Sequence, residues 1–113
     1  MANAFINRKI DLTTTDTKTL YTVPSATAAI IKSLLVCNDA GSACTLVVTL
    51  TDTSSNVFKL FNDVSFDSNT TTELLDKPLI MQESEVLKVT AGDANELHVI
   101  ASIMEAKPRE VTT

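Results

Sequence analysis

The feature that most constrains this chain is a hydrophobic period of two residues. Residues 44–51 read CTLVVTLT, which sets Cys44, Leu46, Val48 and Leu50 on one side and Thr45, Val47, Thr49 and Thr51 on the other. Residues 96–104, ELHVIASIM, repeat the pattern: Leu97, Val99, Ala101 and Ile103 alternate with His98, Ile100, Ser102 and Met104. Aliphatic and β-branched residues at this period suit a pleated, half-buried strand. No stretch long enough for a helix carries an apolar stripe with caps.

Extending the reading predicts about eight strands, near 4–12, 18–23, 27–38, 43–52, 56–61, 70–75, 84–91 and 96–104. Turn residues separate them: Pro24-Ser25, Asp39-Ala40-Gly41-Ser42, Asp52 to Asn56, Asp67-Ser68-Asn69, Asp76-Lys77-Pro78, and Gly92 to Asn95. This spacing points to an all-β fold, an antiparallel β-sandwich of jelly-roll or Ig-like type. The 113 residues suffice for a single domain, with short polar terminal arms expected at about 1–9 and 105–113. The chain has only 2 glycines, so Asn, Asp and Ser must supply most left-handed turn conformations.

The segment 27–38 is apolar on both sides. Strict alternation places Ala29, Ile31, Leu35 and Cys37 on one face and Ile30, Leu34 and Val36 on the other. One sheet face meets one core, so the second face is expected to be covered as well. Ile30, Leu34 and Val36, with Phe58 and Leu60 as neighbours, are the candidate interface residues.

Little in the sequence carries chemistry. Cys37 and Cys44 flank Ala40-Gly41, and a two-residue turn there would set them opposite each other in a hairpin. MANAFINRKIDL lacks the apolar core of about 7–15 residues that a secretory signal needs, so the thiols are expected to be reduced and buried. A zinc site wants about four ligands. Beyond the two cysteines the chain offers a single histidine, His98, which alternation sets away from Leu97 and Val99, towards solvent or an interface. Glu83 and Glu85 flank Ser84, and Asp63 and Asp67 flank an apolar stretch, but nothing singles out a carboxylate pair. There is no P-loop, GxGxxG or GxSxG. The reading is therefore non-enzymatic, with no catalytic residue, no metal and no cofactor. A net charge of −5 without a basic run argues against nucleic acid as a partner, and AAIIKSLLVC is too short and too interrupted to span a membrane.

Two stretches carry a resemblance. LYTVPSATAAIIKSLLVCND (20–39) pairs a Val-Pro turn with an apolar strand ending in Cys-Asn. LLDKPLIMQESEVLKVTAGDANELHVIASIME (74–105) contains a Leu-Asp-x-Pro-Leu turn, an Asn-centred turn and a Leu-His-Val-Ile-Ala-Ser strand. Together they resemble small virion structural proteins of tailed bacteriophages, particularly those of marine bacteria. Glycine often follows Val-Pro in that pattern and often precedes Asp in its late turn; this chain has Ser25 and Glu83-Ser84-Glu85 there. The resemblance implies a small β-sandwich that decorates the head or builds tail and collar parts, and no catalytic residues carry over. The expected function is a capsid decoration, or cement, protein that binds and stabilises the assembled major-capsid shell. A tail, collar or baseplate component is the alternative. A receptor- or carbohydrate-binding module ranks third, because Tyr21 is the only tyrosine and Phe5, Phe58, Phe61 and Phe66 read as core or interface. Expected partners are the major capsid protein or another virion protein and further copies of the chain, a trimer first. The expected location is the virion, assembled in the host cytoplasm.

Overall fold

Alternating apolar residues can be buried only if two sheets face each other, and a computed structural model shows that arrangement for residues 3–107. Nine strands form: β1 (Asn3–Leu12), β2 (Lys18–Thr22), β3 (Ala28–Asn38), β4 (Cys44–Thr51), β5 (Val57–Phe66), β6 (Thr70–Glu73), β7 (Leu79–Met81), β8 (Val86–Ala91) and β9 (Leu97–Ala106). The described residues contain no helix. Sheet A runs β1-β9-β3-β6, with β7 also paired to β3; sheet B runs β2-β8-β4-β5. Every pairing is antiparallel. β6 and β7 together act as one interrupted strand along β3. The four antiparallel pairs β1/β9, β2/β8, β3/β6–β7 and β4/β5 then give the strand order of a jelly roll, a β-sandwich as the sequence period requires.

The core lies between the sheets. Sheet A contributes Ala29, Ile31, Leu34, Val36, Leu97, Val99, Ala101 and Ile103; sheet B contributes Cys44, Leu46, Val48, Leu87, Val89, Ala91 and Phe66. The inward sides of β4 and β9 are those the sequence period marks. β2 carries a bulge between Thr19 and Tyr21, which lets adjacent Leu20 and Tyr21 both turn inward.

Several expectations are corrected. Cys37 and Cys44 do not face each other in a hairpin, because β3 lies in sheet A and β4 in sheet B. The intervening turn is a crossover between sheets, and Gly41 does not take the positive φ of a primed hairpin turn. Asn38 holds the crossover. Its buried Nδ2 donates to the carbonyls of Ser42 (2.9 Å) and Phe66 (3.0 Å), and its Oδ1 accepts from the Ala40 N–H (2.9 Å).

Strict alternation also fails in β3. Its register against β9 shifts between Ile31 and Ser33. The extra residue reverses the facing of everything after it: Ala29 and Ile31 point inward, and so do Leu34, Val36 and Asn38. Leu34 (1 % exposed) and Val36 (0 %) are core residues, not members of an open face.

The expected arms are also partly strand: residues 3–9 belong to β1 and residues 105–106 to β9. Residue 107 follows β9 without regular structure, and residues 1–2 and 108–113 lie outside the described residues. β5 continues to Phe66 through a register irregularity at which Asp63 adopts φ 52°. Among the described residues, those at positive φ are Ala26, Ser55, Asp63, Asn69, Ser84 and Asn95. All but Ala26 are the Ser, Asp and Asn types that a glycine-poor chain must use.

Candidate docking face

Sheet A has an inner face in the core and an outer face whose residues follow from the register. Phe5 is opposite Met104, Met104 opposite Ile30, and Ile30 opposite Ile80. All four alternate with inward-facing neighbours, so they form one apolar row across β1, β9, β3 and β7. The next row along the strands is polar: Asn7, Ser102 and Ser33, with the bulged residue, exposed Lys32, beside them. Then come Lys9, Ile100, Leu35 and Glu73, with a cation at one edge, a carboxylate at the other and two aliphatic residues between. The last row is Asp11, His98, Cys37 and Thr71.

Of the six large apolar side chains that are exposed among the described residues, Phe5 (76 %), Leu35 (36 %), Ile80 (55 %) and Ile100 (39 %) lie on this face. The other two, Val57 and Phe58, start the edge strand β5 in sheet B. The five candidate interface residues therefore do not make one patch. Ile30 lies in the outer apolar row, half-buried; Leu34 and Val36 are in the core; Phe58 and half-buried Leu60 sit on the other sheet. Leu35 was hidden from an alternation count by the bulge and Ile80 by the shortness of β7; alternation does set Ile100 and Met104 opposite Leu97 and Val99, but that Phe5 joins them depends on strand order.

Charged groups on this face are held in place. Glu73 is an edge clamp: its Oε2 accepts from the Leu34 N–H (2.7 Å) and the Leu75 N–H (3.2 Å), and its Oε1 accepts from the Ser33 hydroxyl. Partial burial opposes its ionisation, but those three donors outweigh burial and hold its carboxyl below the usual glutamate range. Lys9 Nζ donates to Asn7 Oδ1 (3.1 Å) and makes no ion pair among the described residues. His98 points outward, with Nε2 3.2 Å from Asp11 Oδ1 and 3.9 Å from Asp39 Oδ2.

The thiols separate. Cys37 is half-buried on the outer face beside His98, Cys44 is buried, and both are free. The Cys37, His98 and Asp11 side chains stand side by side on three adjacent strands. Cys37 is the last but one residue of β3 and is paired on both sides, with His98 and Thr71, so the local N–H groups serve the ladder. Burial pushes the Cys44 thiol up, away from the thiolate that metals and electrophiles need. Its sulfur lies near the carboxylates of Asp93 and Glu96, and Glu96 already accepts from Ser42 Oγ (2.5 Å).

Of the other carboxylates named in the sequence, Glu83 and Glu85 serve turns. Glu83 Oε2 accepts from the Ala26 N–H (2.7 Å) and Glu85 Oε1 from the Gln82 N–H (2.7 Å). Inside the sandwich, Tyr21 Oη donates to the buried Glu105 carboxylate (2.6 Å), and Arg8 lies 5.8 Å from the Tyr21 ring centre. Burial, and then that carboxylate, push the Tyr21 phenol well above its usual pKa.

On the opposite side of the molecule, the outer face of sheet B carries a shallow groove between Thr17, Val47, Thr49, Thr51, Lys59 and Lys88. It contains hydroxyls and two ammonium groups but no aromatic ring.

No protein-family model matches the chain, and no curated protein matches it.

Proposed function

We propose that this chain is a non-enzymatic structural protein of a tailed-phage virion, a decoration or cement protein that binds the outside of the assembled major-capsid shell. The observation that carries the reading is the outer face of sheet A, where Phe5, Leu35, Ile80 and Ile100 stand exposed in two rows with a polar row between them, on a chain whose core is already complete without them. Exposed apolar side chains gathered on one face and rimmed by polar residues mark association sites. Two further points support it. The jelly roll is an architecture much used in viral capsids, which is an argument by analogy of fold. The stretches 20–39 and 74–105, which resemble phage virion proteins, cover the end of β2, all of β3, β7 and β8, most of β9, and the turns between them.

The mechanism is mass action. A subunit that binds the assembled shell and not its separated parts stabilises the shell by about 2.7 kcal/mol per site at a free concentration about 100 times the dissociation constant. The test adds purified chain to shells assembled without it. Saturable occupancy and a higher shell melting temperature are expected. Binding to tail or collar assemblies, with none to shells, would move the protein to the tail. Binding to neither contradicts the virion reading. The groove on sheet B favours a receptor- or carbohydrate-binding module as a second reading; without a ring for a sugar to stack on, it ranks behind.

A further inference from the structure

We propose that the outer face of sheet A is where two copies of this chain meet, face to face, about a two-fold axis parallel to the strands and passing between β9 and β3. The expectation from sequence put a trimer first; the order of residues within each row favours a two-fold.

Such an axis keeps every row at its own level and reverses it left to right. The row Phe5, Met104, Ile30, Ile80 then meets Ile80, Ile30, Met104, Phe5 of the other copy. Apolar side chains face apolar side chains at all four positions. The row Lys9, Ile100, Leu35, Glu73 meets its reverse, so Ile100 faces Leu35 and each Lys9 faces a Glu73 of the other copy, twice per dimer. The polar row pairs Ser102 with Ser33 and sets the exposed Lys32 of each copy over Ser102 of the other, the one row that brings unpaired cations near the axis. The last row sets Asp11 against Thr71 and His98 against Cys37 and brings no like charges together. A two-fold axis across the strands does worse. Placed at the charged row it opposes Lys9 to Lys9 and Glu73 to Glu73; placed at the polar row it matches Met104 with Ile100 and Ile30 with Leu35 but sets Lys9 on Phe5 and Glu73 on Ile80, leaving both charges unpaired; moved between rows it opposes apolar to polar residues.

The occupant is thus identified by complementarity of both charge and shape of pattern. Lys9 has no ion-pair partner within the described residues, and Glu73 has hydrogen-bond donors but no cation. Each is what the other copy presents at that spot. Size sets the strength. With strands about 4.8 Å apart and a rise of about 3.3 Å per residue, the face from Asn3 to Asp11 presents roughly 500 Å² per copy. The pair would cover about 1,000 Å², the lower end for a specific interface, so a reversible micromolar dimer is expected.

The test is sedimentation velocity of the full chain over a concentration series, with charge-reversed variants. The parent should pass from monomer to dimer. Lys9→Glu and Glu73→Lys should each weaken self-association by about tenfold or more, because each homodimer then holds two like-charged contacts. Mixed in equal amounts, the two variants should associate as well as the parent, since the mixed dimer restores both opposite-charge pairs. Glu73 also clamps β3, so Glu73→Lys must be shown folded by its circular dichroism spectrum. Should it unfold, Ile100→Lys replaces it as the second variant: it touches no hydrogen bond and should abolish the dimer in a folded chain. A parent that stays monomeric overturns the proposal. So does a trimer, failure of the mixed variants to restore association, or an Ile100→Lys chain that still dimerises. The dimer occupies the face that carries the virion reading, so the pair would bind the shell through its remaining surface; self-association and shell occupancy are read by separate assays, and the failure of one is distinguishable from the failure of the other.

Discussion

Leu34→Ala and Leu35→Ala, made at neighbouring positions of β3, should have unequal effects. The bulge between Ile31 and Ser33 turns Leu34 into the core and Leu35 to the outside. Leu34 is 1 % exposed and packs in the cluster with Ile31, Val36, Val99 and Ala101. Truncating it removes three carbon groups, about 2.4 kcal/mol of transfer free energy at about 0.8 kcal/mol each. The cavity left in a filled core adds to that, for a total of about 3–5 kcal/mol. Leu35 sits on an open face where water can follow the retreating side chain, so its truncation should cost about 1 kcal/mol or less. For a domain of this size the Leu34 variant should melt lower by about 10–20 °C and the Leu35 variant by at most a few degrees. Urea denaturation followed by circular dichroism, at a concentration low enough to keep the chain monomeric, measures both. Equal losses, or a larger loss at Leu35, would refute the bulge and with it the composition of the outer face.

Three further outcomes follow from the same geometry. Asn38→Asp should lose about 3 kcal/mol or more at neutral pH, because an ionised carboxylate would face the Ser42 and Phe66 carbonyl oxygens. That environment raises the folded pKa, so the variant should be most stable in acid and weaken as pH rises from about 3.9, the unfolded value; pH-dependent urea melts read this directly. In the native protein an aromatic disulfide reagent should label Cys37 quickly and Cys44 only on unfolding, since Cys44 is buried and its thiol pushed up; two equally fast thiols would contradict the crossover. Tyr21→Phe should cost about 1.5–3 kcal/mol by removing a donor from the buried Glu105 carboxylate. The Tyr21 phenol is raised in the fold, so its contribution is complete below the ordinary value of 10 and declines as pH climbs beyond it. The alkaline limb of the stability curve should accordingly be shallower in Tyr21→Phe.

The sequence is most legible where alternation is unbroken. β4, β8 and β9 show a plain two-residue period, and their buried residues are the ones it marks. β3 defeats the same method because Ala, Ile, Leu and Val occupy both sides of it. With no polar face to reveal the phase, one bulged residue reverses the assignment without any sequence signal except the adjacent Lys32-Ser33. The crossover after β3 was equally opaque. Asp39 and Gly41 read as hairpin residues, whereas the deciding group is the side chain of Asn38, whose role depends on carbonyls at Ser42 and Phe66 that only the fold brings near. β7 is three residues long and follows Pro78, too short to show a period. The docking face was legible in kind, a second apolar side on β3, but not in membership, because its rows depend on strand order and register across four strands.

The most direct test of the account is a cryo-EM reconstruction of the virion. Many copies of the jelly roll on the outside of the shell, with Phe5, Ile80, Ile100 and Leu35 covered by a neighbouring chain, are the predicted result. Particles that lack the chain, or that carry it with the outer face of sheet A open to solvent in every copy, would contradict it.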